Sequence, residues 1–138
     1  MSARLVVVTG GGGGIGRALA ERFKSLGDRV LAPGRVDCDV TSEDSVTAYF
    51  ERVGAVDVLV NNAGIAESAP LHRTTLASWR AHLDVNATGA FLCTRAVVAG
   101  MRERGRGAVV TVASVAGRAG APYTACLLYT SPSPRDRS

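Results

Sequence analysis

Lysine is nearly absent from this chain. Of sixteen Lys and Arg residues only Lys24 is a lysine, and the other fifteen are arginine. Any chemistry that needs an ammonium group therefore has one candidate. Cysteine is scarce as well. Cys38, Cys93 and Cys126 are too few and too scattered for a disulfide framework or a metal site. His72 and His82, ten positions apart, do not complete a ligand set either, so no metal is expected. No run of eighteen apolar residues exists, which predicts no membrane-spanning helix. No basic start leads into an apolar run, which argues against a signal peptide and for a reducing, cytoplasmic setting. The net charge is +4, but the basic residues are dispersed apart from Arg102, Arg104 and Arg106. Such a cluster suits a helix C-terminus, and no nucleic-acid partner is expected.

What is present fits one globular domain. The chain has 138 residues, 46% hydrophobic and 20% charged, an ordinary balance that argues against disorder. A chain of this size buries about two-thirds of its unfolded surface.

Short apolar runs alternate with amphipathic stretches. Residues 5–8 read as a buried strand, followed by a helix over residues 15–26 with Ile15, Leu19, Phe23 and Leu26 on its inner face. Residues 29–32 read as a second strand and residues 36–40 as a third, very short one. Thr41 is the expected N-cap, with Asp44 three residues on, of a helix running to about Val53. Residues 56–60 form a further strand, residues 76–104 a long helical region, and residues 109–112 the fifth strand. Continuous apolar strands separated by helices imply an α/β fold, with a parallel sheet covered on both faces through right-handed crossovers.

The most informative turn joins the first strand to the first helix. Its residues are Thr9, Gly10, glycines 11–13, Gly14, Ile15 and Gly16. Glycines let backbone N–H groups approach a diphosphate, and the helix N-terminus adds partial positive charge. A flexible linker would not sit between an apolar strand and an amphipathic helix. A P-loop would require Gly-Lys-Ser/Thr, whereas this turn ends Gly16-Arg17-Ala18.

With its TGxxxGxG spacing, the turn resembles the short-chain dehydrogenase/reductase family. Asn61-Asn62-Ala63-Gly64 resembles the family's NNAG, Asp39-Val40 its adenine-side Asp-Val, Asn86 its helix asparagine, and Ser114 its catalytic serine. The resemblance covers residues 3–125. It implies a Rossmann-type doubly wound sheet, cut short after its fifth strand, in the N-terminal portion of a longer, homo-oligomeric enzyme. The implied reaction is hydride transfer between a nicotinamide nucleotide and a small-molecule carbonyl or alcohol. Nucleotide contacts are implied for Thr9, Gly10, Gly14, Ile15, Gly16, Asp39, Val40, Asn62, Ala63 and Gly64.

The end of the second strand should lie beside the adenosine ribose. It reads Ala32-Pro33-Gly34-Arg35, without a carboxylate at the Gly34 position. Arg35, with Arg17 nearby, favours the 2′-phosphate of NADP(H). Asp37 favours NAD if it reaches the ribose.

The catalytic group implied by the resemblance is Ser114, Asn86, a tyrosine and a lysine four residues after that tyrosine. Pro122 is in register, but the family's usual tyrosine position falls on Leu127. Tyr123 is the alternative. No lysine follows either position, so this chain is expected to be catalytically silent. Residues 126–136 resemble one translated frame of a transposase sequencing adapter. The expected organisation is therefore a native portion, 1–125, and a non-native tail, 126–138. Two other functions stand beside the enzyme, a non-catalytic dinucleotide-binding module and an interaction protein with a Ser-Pro tail.

Overall fold

The computed structural model describes residues 2–126. Most of the proposed tail, including Leu127 and the stretch 127–136 of the adapter-like segment, lies outside the described residues.

Four parallel strands form the sheet. They are β1 (Leu5–Val8), β2 (Arg29–Leu31), β3 (Val58–Asn61) and β4 (Ala108–Thr111), in the order β2-β1-β3-β4. The register pairs Val6 with Val30 on one side of β1 and with Val58 on the other, and Leu59 with Val109. Alternation along β1 sends Val6 and Val8 to one face and Leu5 and Val7 to the other, and all four are buried. Burial on both faces is what a continuous apolar run predicts.

Helices cover the two faces unequally. On one face α1 (Gly14–Ser25) lays Leu19 and Phe23 over Val6, Val8, Val58 and Val60. On the other, α2 (Glu43–Val53) contributes Val46, Tyr49 and Phe50 at the spacing of one helical face. It packs beside α4 (Gly89–Arg104), which contributes Cys93, Val97 and Met101 at intervals of four. The expected doubly wound α/β architecture is present. Among the described residues no helix is long and apolar enough to cross a membrane.

Several local expectations are corrected. Residues 36–40 are not a strand, so among the described residues the sheet has four strands rather than five. The Gly34 carbonyl accepts the N–H groups of Asp37 and Cys38, closing a turn. The apolar character of the segment is real, because Cys38 and Val40 are buried against α2 and α4. The α2 cap is Ser42, whose hydroxyl accepts the Ser45 N–H, since Thr41 is committed to the Asp39 carboxylate. Ile15 and Leu26 are exposed, and α1 instead turns the small residues Gly16 and Ala20 inward.

The long helical region is interrupted. It opens with α3 (Leu76–His82), passes through a wider π-helical segment (Leu83–Thr88), and continues as α4. Such segments frequently mark functional sites, and Asn86 lies in this one. A short α5 (Ala116–Ala119) follows β4. As the outermost strand, β4 is exposed throughout, the state that leaves backbone groups free to pair.

Candidate nucleotide and active site

The chain leaves β1 for β2 on one side and later returns through β3 on the other. The carboxyl ends of β1 and β3 therefore flank a crevice where the winding direction reverses, the usual ligand position in open α/β sheets. The glycine turn leaves β1 at this crevice, and Asn62-Ala63-Gly64 leaves β3 there.

Thr9 welds the two together. Its side chain is buried, and Oγ1 accepts the N–H groups of Asn62 and Ala63 at 3.1 Å each. Asn62 Nδ2 returns hydrogen bonds to the carbonyls of Thr9 and Gly10, at 3.0 and 3.3 Å. The backbones approach so closely that side chains are excluded. A Cβ on Gly10, which has φ +66°, would lie 2.8 Å from Ala63 Cα. One on Gly16 would lie 2.5 Å from the Gly10 oxygen.

Gly12 and Gly14 differ, because a Cβ at either would meet nothing within 4 Å. Their missing side chains leave room for something beyond the protein. Together with Gly13, Ile15, Arg35 and Gly64 they line a cleft of about 420 Å³. Helix α1 opens into it from Gly13 with no side-chain cap and no acidic residue in its first turn. The first N–H groups of a helix have no intrahelical partner, so here they face an open, uncapped cleft. A diphosphate fits this donor set. Arg17 does not line the cleft. The Asp37 carboxylate is turned back to accept the Gly34 N–H at 3.2 Å.

Two more clefts adjoin. One of about 190 Å³ is lined by Arg35, Cys38, Asp39, Val40 and Thr41 among others. The Thr41 hydroxyl and N–H both donate to Asp39, holding its carboxyl below the usual carboxylate range. Cys38, hydrogen-bonded by the Cys93 thiol, is shifted down and Cys93 up.

The other, of about 340 Å³, brings together Asn86, Ser114, Asn61, Ile65 and Thr111. Ser114 follows β4, is half-buried, and accepts the Ala116 N–H at 3.2 Å. Asn86 clamps the main chain of Ile65, donating to its carbonyl and accepting its N–H, both at 2.8 Å. The pair predicted from the sequence thus shares one cleft.

Tyr123 is not brought there. It lines a separate hollow with Glu67, Arg73 and Ser78, is mostly exposed, and has φ +61°. Lys24 lies on α1, with Nζ 3.1 Å from Glu21. Among the described residues no group of three His, Cys, Asp or Glu side chains could hold a metal.

In the sequence Gly11 and Asn61 stand only as members of their motifs and His82 only as a non-ligand, yet an added Cβ at Gly11 would collide with the Ala32 carbonyl, and Asn61 and His82 are buried. Asn61 was visible beside Asn62. His82 carried no comparable signal.

Comparison with known proteins identifies the family and the fold. The family model for short chain dehydrogenase matches residues 34–131, ending inside the adapter-like segment. A cis-4-hydroxycyclohexanecarboxylate dehydrogenase of Sinomonas cyclohexanicum is 39% identical over 142 residues, covering 85% of this chain and 57% of the relative. An oxidoreductase of the short chain dehydrogenase/reductase family from Burkholderia thailandensis superposes with TM-score 0.83 at 41% identity, covering 93% of this chain and 58% of that one. A gluconate 5-dehydrogenase from Burkholderia cenocepacia, solved with NADP and tartrate, gives TM-score 0.79 at 30% identity, covering 95% and 61%. The chain spans little more than half the length of these relatives. Matched by the family model over most of its length, and carrying the parallel sheet and glycine turn described above, the chain belongs to the short-chain dehydrogenase family.

Proposed function

We propose that the complete protein is an NADP(H)-dependent oxidoreductase acting on a small carbonyl or alcohol, and that residues 1–125 are its nucleotide-binding portion. One observation carries this reading. The uncapped start of α1 and the side-chain-free Gly12 and Gly14 border a single cleft at the sheet's switch point. Backbone N–H groups there hold a diphosphate by hydrogen bonds and by the helix dipole. Arg35, on the rim, takes a 2′-phosphate with its forked guanidinium. The engagement of Asp37 with Gly34 favours NADP over NAD, and the NADP in the gluconate 5-dehydrogenase structure supports the same choice.

The bound nicotinamide supplies or accepts the hydride. In the adjoining cleft the Ser114 hydroxyl holds the substrate oxygen, and Asn86 keeps the Ile65 main chain in place beside it. Proton transfer from a tyrosine needs a cation to lower a phenol pKa near 10. Lys24, the sole lysine, is engaged elsewhere on α1. Chain 1–138 is accordingly a nucleotide-binding module without turnover, Tyr123 being the weakest member of the proposed group. Residues 126–138 belong to a non-native tail. A chain with only three cysteines suits a reducing cytoplasm, and the exposed Leu76, Phe91 and Val98 suit self-association of the complete protein.

Titration of chain 1–138 with NADPH, followed by nucleotide fluorescence, should saturate without oxidation of the nucleotide in the presence of carbonyl substrates. A folded chain that binds no nicotinamide nucleotide contradicts the site. Steady turnover contradicts the assigned silence.

A further inference from the structure

We propose that His82 is a positioning residue for the nucleotide site, latching the loop that walls all three clefts. The inference rests on the nucleotide reading above. Ala63 and Gly64 line every one of the three clefts, and Ile65 lines two. Residues 62–70 nevertheless have no regular secondary structure, so something other than a ladder must hold them.

Side chains do. The Ala63 N–H goes to Thr9 Oγ1 at 3.1 Å, the Ile65 N–H to Asn86 Oδ1 at 2.8 Å, and the Glu67 N–H to His82 Nε2 at 3.0 Å. Alternate amides of an extended segment are thus received by three side chains, in the manner of a strand pairing with a neighbour. His82 and Asn86 stand four residues apart, one helical turn, and take successive rungs. His82 takes the rung farthest from that of Thr9 and holds the middle of the loop, while the next alternate amide, the Ala69 N–H, goes to the Tyr123 carbonyl at 3.0 Å.

The ring is completely buried and both its nitrogens are engaged. Nδ1 lies 2.8 Å from the Ser78 carbonyl, which can only accept, so Nδ1 carries the proton. Nε2 faces a backbone N–H, which can only donate, so Nε2 is bare. The geometry admits one tautomer. A second tie joins the same partners, because the Ser78 hydroxyl donates to the Glu67 carboxylate at 3.4 Å. An aliphatic side chain at position 82 would fill the volume but leave the Glu67 N–H without its acceptor.

Unlatching lowers the fraction of molecules whose loop is competent to bind, and the apparent Kd rises in proportion. The test uses the full chain and three versions of position 82. His82→Leu keeps the bulk and removes the acceptor. His82→Gln can place its carbonyl oxygen near the position of Nε2. NADPH affinity should fall about tenfold in the leucine variant, the scale of one buried hydrogen-bonding group left unmet, and stay within about twofold in the glutamine variant. Ring ¹⁵N spectra of the unsubstituted chain should show the proton on Nδ1, a signature that packing alone does not demand. Equal NADPH affinity in all three, equal loss in both variants, or a proton on Nε2 overturns the proposal. If the leucine variant does not fold, the glutamine variant and the ring spectrum still decide. If the unsubstituted chain binds no NADPH, the nucleotide reading fails and the latch has no site to position. Ring protonation on Nδ1 in that case would restrict that failure to the nucleotide reading, since the loop would still be held.

Discussion

Gly14→Ala should raise the melting temperature of this chain and remove most of its NADPH binding. The two effects have different origins. Gly14 is the first residue of α1, and a methyl group there meets no protein atom within 4 Å. Replacing glycine by alanine in a helix stabilises by up to about 1 kcal/mol, because the unfolded chain has less freedom to lose. In a domain of this size that corresponds to a rise of roughly 2–4 °C. The same methyl group projects into the 420 Å³ cleft, where the proposed diphosphate sits. Steric intrusion at a tight contact costs about 1–3 kcal/mol, so affinity should fall about tenfold to a hundredfold.

Gly16→Ala supplies the contrast. Its methyl group would stand 2.5 Å from the Gly10 oxygen and 2.9 Å from Asn62 Nδ2. A backbone oxygen fixed by the turn cannot yield as a flexible side chain can. Overpacking of about 1–3 kcal/mol then exceeds the helix gain, and the melting temperature should drop. Calorimetric melting and NADPH titration of both variants check the pair. A Gly14→Ala chain that binds NADPH as tightly as the unsubstituted one would remove the glycine turn from the nucleotide site.

Arg35→Asp should invert the nucleotide preference. Arg35 lines the glycine cleft and also the cleft beside Asp39. A hydrogen bond from a charged donor contributes about 1.5–3 kcal/mol, and a carboxylate in its place would repel a 2′-phosphate while accepting a ribose hydroxyl. NADPH affinity should fall by about a hundredfold or more, on the scale of two such bonds, while NADH affinity holds or improves. Parallel titrations with the two nucleotides give the ratio directly. An unchanged ratio would mean that Arg35 does not read the phosphate, and would return Asp37 to consideration.

The sequence made the β1–glycine turn–α1 unit legible because three signals coincided there: an apolar strand, glycines, and an amphipathic helix. At β3 and Asn62-Ala63-Gly64 two of these signals met, an apolar strand and a glycine, with no helix directly after them. Residues 36–40 misled because alternating apolar residues mark burial, not strand geometry. Turn bonding at Gly34 decided the backbone, while Cys38 and Val40 still reached the core. Ile15 misled for the opposite reason. Bulky residues usually mark an inner helix face, yet where α1 meets the glycine turn only Gly16 and Ala20 fit inside.

The π-helical segment had no sequence signature, although Gly89 hints at its cause. A Cβ at that position would press within 2.7 Å of Val40 Cγ2, so α4 begins hard against the Asp39-Val40 segment. The role of His82 is not legible because its partners are main-chain atoms, which residue types do not reveal.

The proposed nucleotide site seats a diphosphate on the backbone N–H groups at the start of α1. Amide chemical shifts recorded while the chain is titrated with NADPH test it most directly. The largest changes should fall on residues 12–16. Saturable binding with those amides unmoved, and the changes confined to another surface, would contradict it.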